Sequence, residues 1–439
     1  MILMNISILL IIVEMVIPIS AWDNGLLRTP PMGWLSWLRF TCEINCEQYP
    51  NSCINEKLYK DMIDRIAEDG YLQVGYKTVN IDDCWMEKKR DPKTKQLVAD
   101  RKRFPYGIKH LVEYGRERNV SVGIYEDIGT KTCAGFPGID NHEQIDAKTF
   151  SEWGVDSIKM DGCFALINEY NQTYPNFRKA LEKQEHRIAY SCSWPAYIAN
   201  NSVPDDVYEV IKENCNYWRN YDDIVDSWES VKKIILFYGS KNKQFKKFHG
   251  PGGWFDPDML LIGNNGLSLE QSKTQMNFWS IWSAPLMMSA DLRRITPEFK
   301  KILQNKELIS INQDRDGRMA SLIYKTDKIQ IWTKKLAASA EGEPSSYVVL
   351  YFYLYSLGID LNIRFNVSKL IPREEIQDEY LVFDLHDADT VMKIISSEEN
   401  LELRVPSSGG SRIVKLVPVL KNENLFETNE DTLDNFCDY

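Results

Sequence analysis

The sequence predicts an α/β protein, a (β/α)8 TIM barrel followed by a C-terminal antiparallel β-sandwich domain. Between residues 31 and 290, eight short apolar runs end in polar residues and are separated by helix-length stretches, which is the pattern of a (β/α)8 barrel. After about residue 316 the runs alternate or are β-branched and are broken by charged turns, which indicates antiparallel strands. A length of 439 residues has room for both units.

The barrel is predicted at residues 22–313, and each apolar run predicts one of its strands. The runs cover residues 32–37, 76–83, 120–127, 155–161, 187–194, 216–220, 253–258 and 284–290. Apolar residues at helical spacing predict helices between them, as at 54–69, 108–114 and 150–153. Because the C-terminal ends of barrel strands meet at one mouth, the polar residues that end these runs are expected to share one site.

The β domain is predicted at residues 314–420, from runs at 329–333, 347–353, 361–365, 380–383 and 401–405. Residues 421–439 are rich in Glu, Asp and Asn and predict an acidic flexible tail.

Residues 1–21 carry one charge, Glu14, and predict a secretory signal peptide cleaved near Ala21, with a membrane anchor as the alternative. We therefore expect a protein of the secretory pathway, lysosomal or secreted, without stable membrane insertion.

The composition narrows the classes of partner. Hydrophobic residues at 44% and charged residues at 26% indicate a globular chain and exclude wholesale disorder. Lys and Arg total 52 against 63 Asp and Glu, and the net charge of −11 gives no electrostatic basis for binding nucleic acid.

Cysteines and glycosylation sequons favour the secretory route. The nine cysteines are residues 42, 46, 53, 84, 133, 163, 192, 215 and 437. Because the sequence has neither Cys-x-x-Cys pairs nor clustered histidines, disulfides are expected and a metal site is not, and the spacing alone leaves the pairing open. After the predicted signal peptide, sequons occur at Asn119, Asn171, Asn200 and Asn366.

Carboxylates and aromatic rings at the predicted strand ends indicate sugar chemistry, because glycoside hydrolysis needs one carboxyl as nucleophile or base and another as acid. Asp161 ends an apolar run two residues after Lys159, a spacing that puts both side chains on one face of a strand. A nearby ammonium favours an ionised aspartate. Asp161 is therefore the candidate nucleophile, with helix capping as the alternative role.

The candidate acid is Asp223, in the segment WRNYDDIVDSW at 218–228. Aromatic rings there are expected to desolvate one carboxyl and raise its pKa, as an acid catalyst requires. Asp222 and Asp226 compete for the role, since Asp also caps helices, and the sequence does not separate the three.

Other strand-end residues are candidates for binding a sugar. Asp82 and Asp83 are candidates for contacting sugar hydroxyls, with backbone N–H groups as the alternative partners. The rings that could stack on a sugar are Trp34, Trp37, Tyr125 and Trp194, with core packing as the alternative for each.

Five motifs occur in order along the chain: TPPMGW at 29–34, NIDDCW at 80–85, KMDGC at 159–163, WRNYDD at 218–223 and DPDMLLIGN at 256–264. Together they resemble the animal α-galactosidase and α-N-acetylgalactosaminidase family of retaining glycosidases. The resemblance covers about residues 23–314. It implies Asp161 as nucleophile, Asp223 as acid/base, no metal or organic cofactor, and commonly a homodimer in lysosomes.

The resemblance also implies a set of sugar-binding residues and a disulfide pairing. The galactose-type ring would be bound by Trp34, Asp82, Asp83, Tyr125, Lys159 and Arg219. The disulfides would join Cys42 to Cys84, Cys46 to Cys53, Cys133 to Cys163 and Cys192 to Cys215, leaving Cys437 unpaired.

Substrate choice within the family depends on the stretch SCSWPAY at 191–197. Relatives that prefer galactose have Glu and Leu at the positions of Ser193 and Ala196, whereas these small side chains leave room for an N-acetyl group that Tyr197 would also contact. The resemblance therefore implies a retaining exo-glycosidase that removes terminal α-linked N-acetylgalactosamine from glycolipids or glycoproteins, with side activity on α-galactosides. The alternatives are an α-galactosidase and a catalytically silent, secreted sugar-binding protein.

Three residues depart from the family pattern: Leu38 replaces Glu, Glu126 replaces Ala and Phe255 replaces Asn. Glu126 is expected to add a carboxylate at the mouth of the site, and Phe255 to remove the hydrogen bonds of an amide. These three departures favour the alternative that the protein is a catalytically silent sugar-binding protein. Retention of both Asp161 and Asp223 argues against it, because a pure sugar binder needs neither.

Overall fold

The structure is a computed structural model that describes residues 22, 24–198, 202–355 and 358–420, apart from the side chains of residues 388–390. The predicted signal peptide, the predicted acidic tail with Cys437, and the sequon at Asn200 lie outside the described residues. Within the described part of the chain, no helix has both the length and the apolar character needed to cross a bilayer.

Eight parallel strands form one sheet, and the predicted barrel is confirmed. β1 pairs with both β2 and β8, and a parallel bridge between Leu260 and Met288 joins the segment after β7 to β8. The strands are β1 (Met32–Leu35), β2 (Thr78–Asn80), β3 (Ser121–Asp127), β4 (Ser157–Asp161), β5 (Ala189–Cys192), β6 (Tyr217–Arg219), β7 (Trp254–Asp256) and β8 (Leu286–Met288). Each lies within a predicted run and is shorter than that run, in most cases because the polar end of the run continues into a loop.

The helices are α1 (Trp37–Phe40), α2 (Glu56–Glu68), α3 (Gly107–Arg116), α4 (Glu143–Trp153), α5 (Tyr170–Glu182), α6 (Asp205–Asn214), α7 (Trp228–Phe248), α8 (Leu269–Ile281), α9 (Pro297–Leu303) and α10 (Lys306–Asn312). Helix α4 begins seven residues before the predicted start at residue 150. Its first part buries Asp146, which forms an ion pair of 2.6 Å with Arg90, so a polar residue interrupts the apolar spacing there.

The C-terminal region confirms the predicted antiparallel β sandwich. Its strands are β9 (Ser321–Lys325), β10 (Ile329–Lys335), β11 (Tyr347–Tyr353), β12 (Leu361–Asn366), β13 (Glu379–Asp384), β14 (Asp387–Ser396), β15 (Asn400–Val405) and β16 (Ser411–Pro418). Six of them form a sheet in the order β14-β13-β16-β11-β10-β9, and β12 pairs with β15. Val349 and Tyr351 of the larger sheet share a buried core with Ile363 and Leu403 of the smaller one.

The sequence pattern does not predict β9, β14 or β16. Charged residues interrupt the apolar alternation, as Arg412 and Lys415 do in β16. The sequence of β16 indicates a strand only weakly, and its pairing with both β11 and β13 stabilises the extended conformation.

The β domain packs against the barrel helices through apolar and polar contacts. Phe352 of β11 lies edge-on to Phe278 of α8, with ring centroids 5.2 Å apart. The buried Lys334 of β10 donates hydrogen bonds to Ser283 Oγ at 2.7 Å and to the carbonyl of Ile311 at 2.6 Å. These contacts join the two units on the side of the barrel away from its axis.

Four disulfides lie in the barrel, and they are the four pairings that the family resemblance implies. They join Cys42 to Cys84, Cys46 to Cys53, Cys133 to Cys163 and Cys192 to Cys215.

Candidate active site

A cavity of about 390 Å³ opens at the C-terminal ends of the barrel strands. It is lined by Trp37, Asp82, Asp83, Tyr125, Cys133, Lys159, Asp161, Cys163, Ser193, Ala196, Tyr197, Arg219, Tyr221, Asp222 and Asp223. Its volume is in the range of pockets that bind small ligands, roughly 300–1,000 Å³. The structure thus brings every predicted catalytic and sugar-binding residue to this cavity except Trp34 and Trp194.

Lys159 carries a positive charge between two carboxylates of the cavity. Its Nζ lies 2.9 Å from Asp82 Oδ2 and 3.5 Å from Asp161 Oδ2, because alternation along β4 puts Lys159 and Asp161 on one face. Burial lowers the pKa of Lys159, but the carboxylates of Asp161 and Asp82 outweigh burial and raise it overall. Lys159 therefore stays charged.

Asp82 and Asp83 follow β2 at the cavity wall, and each is 1% exposed. Asp83 Oδ2 accepts a hydrogen bond from the backbone N–H of Ala134 at 2.9 Å. Burial raises the pKa of Asp82 to about 6, with Lys159 opposing the rise and Asp161 adding to it. Burial likewise raises the pKa of Asp83. A lysine and backbone donors thus hold two adjacent carboxyls that would otherwise repel each other.

Asp161 ends β4, and both of its carboxyl oxygens have neighbours in the cavity. Ser193 Oγ donates a hydrogen bond of 2.5 Å to Asp161 Oδ1, while Lys159 faces Oδ2. The next helical segment begins at Ile167, and its N-cap is Leu166. Asp161 therefore does not cap that helix, which removes the alternative role.

The disulfide between Cys133 and Cys163 forms the wall next to Asp161. Its Cys133 Sγ lies 3.9 Å from Asp161 Oδ2, and the hydroxyl of Tyr197 is 3.4 Å from each sulfur. The disulfide joins the loops that follow β3 and β4, so it fixes two sides of the cavity relative to each other.

Arg219, which ends β6, forms ion pairs with two aspartates. Its Nη1 is 2.9 Å from Asp258 Oδ2, and its Nη2 donates to Asp223 Oδ1 at 2.9 Å. The Asp223 side chain is 78% exposed, and the Arg219 guanidinium lowers the pKa of that carboxyl. The expectation that this pKa is raised is therefore wrong, because the charge of Arg219 outweighs the effect of burial.

The three aspartates after β6 lie in different surroundings. Asp226 accepts backbone hydrogen bonds from Asn265 at 3.2 Å and Gly266 at 3.0 Å, and it does not line the cavity. Asp222 and Asp223 both line it. Of the three candidates for the acid, Asp222 and Asp223 therefore lie in the cavity wall and Asp226 does not.

The four candidate aromatic residues divide into two groups. Trp37 and Tyr125 line the cavity. Trp34 is fully buried and donates its indole N–H to the carbonyl of Ala290 at 2.8 Å, and Trp194 stacks on Tyr174 in the core. Sequence reasoning missed Tyr221, although its position directly before the Asp222–Asp223 pair was an available signal.

Glu126 does not lie at the cavity mouth, which corrects the expectation from the sequence. It is fully buried, its charged neighbours include Asp146 and Arg90, and its Oε2 accepts the backbone N–H of Asp127 at 2.8 Å. Within the described part of the chain, Oε1 has no hydrogen-bond partner. Burial raises the pKa of Glu126 well above its ordinary value, and Asp146 adds to the rise. Alternation along β3 explains the position, because Tyr125 faces the cavity and Glu126 faces away.

The other two departures also lie outside the cavity lining. Phe255 is fully buried behind β7, with ring centroids 4.4 Å from Phe245 and 5.1 Å from Tyr208. Aromatic packing therefore takes the place of an amide's hydrogen bonds. Leu38 is half-buried, and its backbone N–H donates to Ser289 Oγ at 3.2 Å.

The described sequons differ in exposure. Asn119 and Asn171 are exposed, as a glycan requires. Asn366 is half-buried, and its Nδ2 donates to the carbonyl of Glu398 at 2.9 Å. A glycan on Asn366 would have to displace that hydrogen bond.

Comparisons with known proteins agree with this site. The family model described as Alpha galactosidase A matches residues 29–314. The chain is 51% identical over 387 residues to "Alpha-N-acetylgalactosaminidase" of Gallus gallus, covering 85% of this chain and 92% of that protein. It is 42% identical over 363 residues to "Alpha-galactosidase A" of Homo sapiens, covering 80% and 84%.

A solved structure, alpha-galactosidase I from Mortierella vinacea, superposes with a TM-score of 0.78 at 27% identity, covering 90% of this chain and 98% of that chain. The matched motifs, the barrel and the carboxylate-lined cavity thus point to one assignment. The chain belongs to the alpha galactosidase A family of glycoside hydrolases.

Proposed function

We propose that this enzyme is a retaining exo-glycosidase that hydrolyses terminal non-reducing α-linked N-acetylgalactosamine on glycolipids and glycoproteins, with side activity on α-galactosides. The observation that carries the proposal is the small pair Ser193 and Ala196 in the cavity that contains Asp161. Small side chains leave space for an acetamido group. A cavity that accepts the larger sugar rejects the smaller one only weakly, which explains the side activity.

The proposed reaction is a double displacement. Asp161 attacks the anomeric carbon while the glycosidic C–O bond breaks, and Asp223 gives a proton to the departing oxygen. Asp223 then takes a proton from water, whose oxygen attacks the same carbon and releases Asp161 as a carboxylate. Lys159 balances the charge of the Asp161 carboxylate before it attacks and after it is released, and Asp82 and Asp83 are placed to contact sugar hydroxyls.

Acidic conditions favour this reaction. The first step needs a protonated Asp223, and Arg219 lowers the pKa of that group. The protonated fraction of Asp223 therefore increases as the pH falls, and we expect activity to be higher at acidic than at neutral pH.

The test is hydrolysis of chromogenic α-N-acetylgalactosaminide and α-galactoside substrates from acidic to neutral pH. We expect both to be cleaved and the acetamido sugar to have the higher kcat/KM. Asp161→Asn should lose activity by about 10³-fold or more on both, since it removes the nucleophile. Faster cleavage of the α-galactoside would identify an α-galactosidase, and turnover of neither substrate would support the silent sugar-binding protein.

A matched pair of variants tests the choice of acid. Asp223→Asn and Asp222→Asn make the same chemical change at adjacent residues of the cavity wall. We expect Asp223→Asn to cause the larger loss in kcat, most strongly on substrates with a poor leaving group, because those need the proton most. A larger loss in Asp222→Asn would reverse the assignment.

The proposed setting is the secretory pathway, with the lysosome or the cell exterior as destination and a homodimer as the assembly. The four disulfides support an oxidising compartment. The homodimer rests on the family resemblance. Sedimentation of the purified protein tests it, and fractionation of expressing cells tests the location.

A further inference from the structure

The hydroxyl of Ser193 makes a hydrogen bond to a residue of strand β4 and does not cap the helix that it precedes. Ser193 is the N-cap of the short 3-10 helix Trp194–Tyr197, yet its side chain makes no capping hydrogen bond there. Its backbone N–H donates to the carbonyl of Met160 at 2.9 Å, which holds it next to the end of β4. Its Oγ instead reaches Asp161 Oδ1 at 2.5 Å, and the residue is only 2% exposed.

The donor and acceptor groups of a hydroxyl determine which partner donates in this hydrogen bond. A serine hydroxyl has one proton and two acceptor lone pairs, and an ionised carboxylate only accepts. The Ser193 proton is therefore committed to Asp161, and toward a bound sugar Ser193 offers lone pairs alone. In the proposed function the 2-position of the ring faces Ser193, so these lone pairs would accept a hydrogen bond from its substituent, whether an acetamido N–H or a plain hydroxyl.

We infer that Ser193 is a positioning residue that links the substituent at the sugar's 2-position to the nucleophile, beyond lining the space for an acetyl group. The substrate donates to Ser193 Oγ, and Ser193 donates to Asp161 Oδ1. Hydrogen bonds in such a chain strengthen one another, so a correctly bound sugar orients the carboxylate that attacks it. This inference rests on the proposed function, since it needs Asp161 to act as the nucleophile.

The test compares Ser193→Ala with Ser193→Thr, which keeps the hydroxyl. Ser310→Ala is the control, because it removes a hydroxyl from an exposed residue of α10 that does not line the cavity. We expect Ser193→Ala to lower kcat by about tenfold or more on both the acetamido and the plain galactoside substrates, from the loss of a hydrogen bond to a charged group. Ser193→Thr should recover most of that loss, and Ser310→Ala should keep the wild-type kcat.

The outcomes separate this inference from the proposed function. If Ser193→Ala raises KM for the acetamido substrate alone and leaves kcat on the α-galactoside unchanged, Ser193 only lines the acetyl pocket and the inference is wrong, while the proposed function stands. If the wild-type protein cleaves neither substrate, the proposed function fails, and the link to the nucleophile fails with it. An unchanged melting temperature in Ser193→Ala excludes misfolding as the cause of a loss.

Discussion

At the scale of single residues, the cavity balances several carboxylates with two buried cations. Lys159 lies between Asp82 and Asp161, and Arg219 lies between Asp223 and Asp258. Each cation favours the ionised form of the aspartates it contacts. In the proposed mechanism Asp223 carries a proton in the first step, so we expect its pairing with Arg219, which lowers its pKa, to make activity depend on acid.

A substitution at Glu126 tests how a buried carboxyl away from the cavity affects the stability of the fold. Its raised pKa means that the folded protein prefers the protonated form. Such a group stabilises the fold fully below its unfolded-state pKa of about 4.3, and the contribution is lost as the pH rises through the folded-state pKa. Glu126→Gln removes the titration but keeps the shape. We expect its melting temperature to exceed that of the wild type by a few degrees near neutral pH and much less in acid, measured by scanning calorimetry.

The control for this prediction is Glu113→Gln, the same substitution at an exposed glutamate of α3. It should leave the melting temperature nearly unchanged at both pH values, as surface substitutions usually do. Equal effects of the two variants would show that burial of Glu126 does not control the pH dependence.

At the scale of elements, each barrel strand has one face toward the barrel interior and one toward the helices, and both faces are buried. Strand β7 shows the consequence, since Phe255 packs against aromatic residues of α6 and α7, with its ring 5.1 Å from that of Tyr208 and 4.4 Å from that of Phe245. The side chain that follows it, Asp256, faces the interior, and burial raises its pKa to about 6. A departure from the family pattern at Phe255 therefore changes packing behind the strand and not the cavity.

Phe255→Asn restores the residue that the family pattern has at this position. We expect it to destabilise this protein by about 3 kcal/mol, because it removes a fully buried ring and places a polar group among aromatic neighbours. Urea denaturation measures the change. A variant as stable as the wild type would show that the packing of the Phe255 ring contributes no more to stability than the amide of the family pattern does.

At the scale of the whole molecule, the β domain meets the barrel at a close contact between Gly409 and Trp228. Gly409 has φ +82°, and a Cβ atom there would lie 2.2 Å from the Trp228 ring. The turn between β15 and β16 therefore reaches α7 only because this residue has no side chain. The contact belongs to the same interface as the Lys334 hydrogen bonds.

Gly409→Ala tests how strongly this contact joins the two units. Gly342 is the matched control, since its φ is +85° and a Cβ atom added there would have no neighbour within 4 Å among the described residues. Gly342→Ala should show only the strain of the left-handed backbone, about 1–2 kcal/mol, whereas Gly409→Ala adds a steric clash and should lower the melting temperature further. Equal shifts for the two variants would mean that the interface adapts without cost.

The sequence by itself determined the order of the barrel strands, the antiparallel character of the region behind it, and the sharing of one strand face by Lys159 and Asp161. Those features depend on local periodicity and on residues that are close in the chain. The family motifs added the disulfide pairing and four further cavity residues, Ser193, Ala196, Tyr197 and Arg219.

Only the tertiary structure decided which side of a strand faces the cavity and what each group contacts there. Both faces of a barrel strand are buried, so a hydrophobic pattern does not distinguish the face of Tyr125 from the face of Glu126. For the same reason the sequence did not predict that Trp34 lies in the core and not in the cavity. The exposure of Asp223 and the hydrogen bond from Ser193 to Asp161 likewise depend on loops that meet only when the barrel has closed.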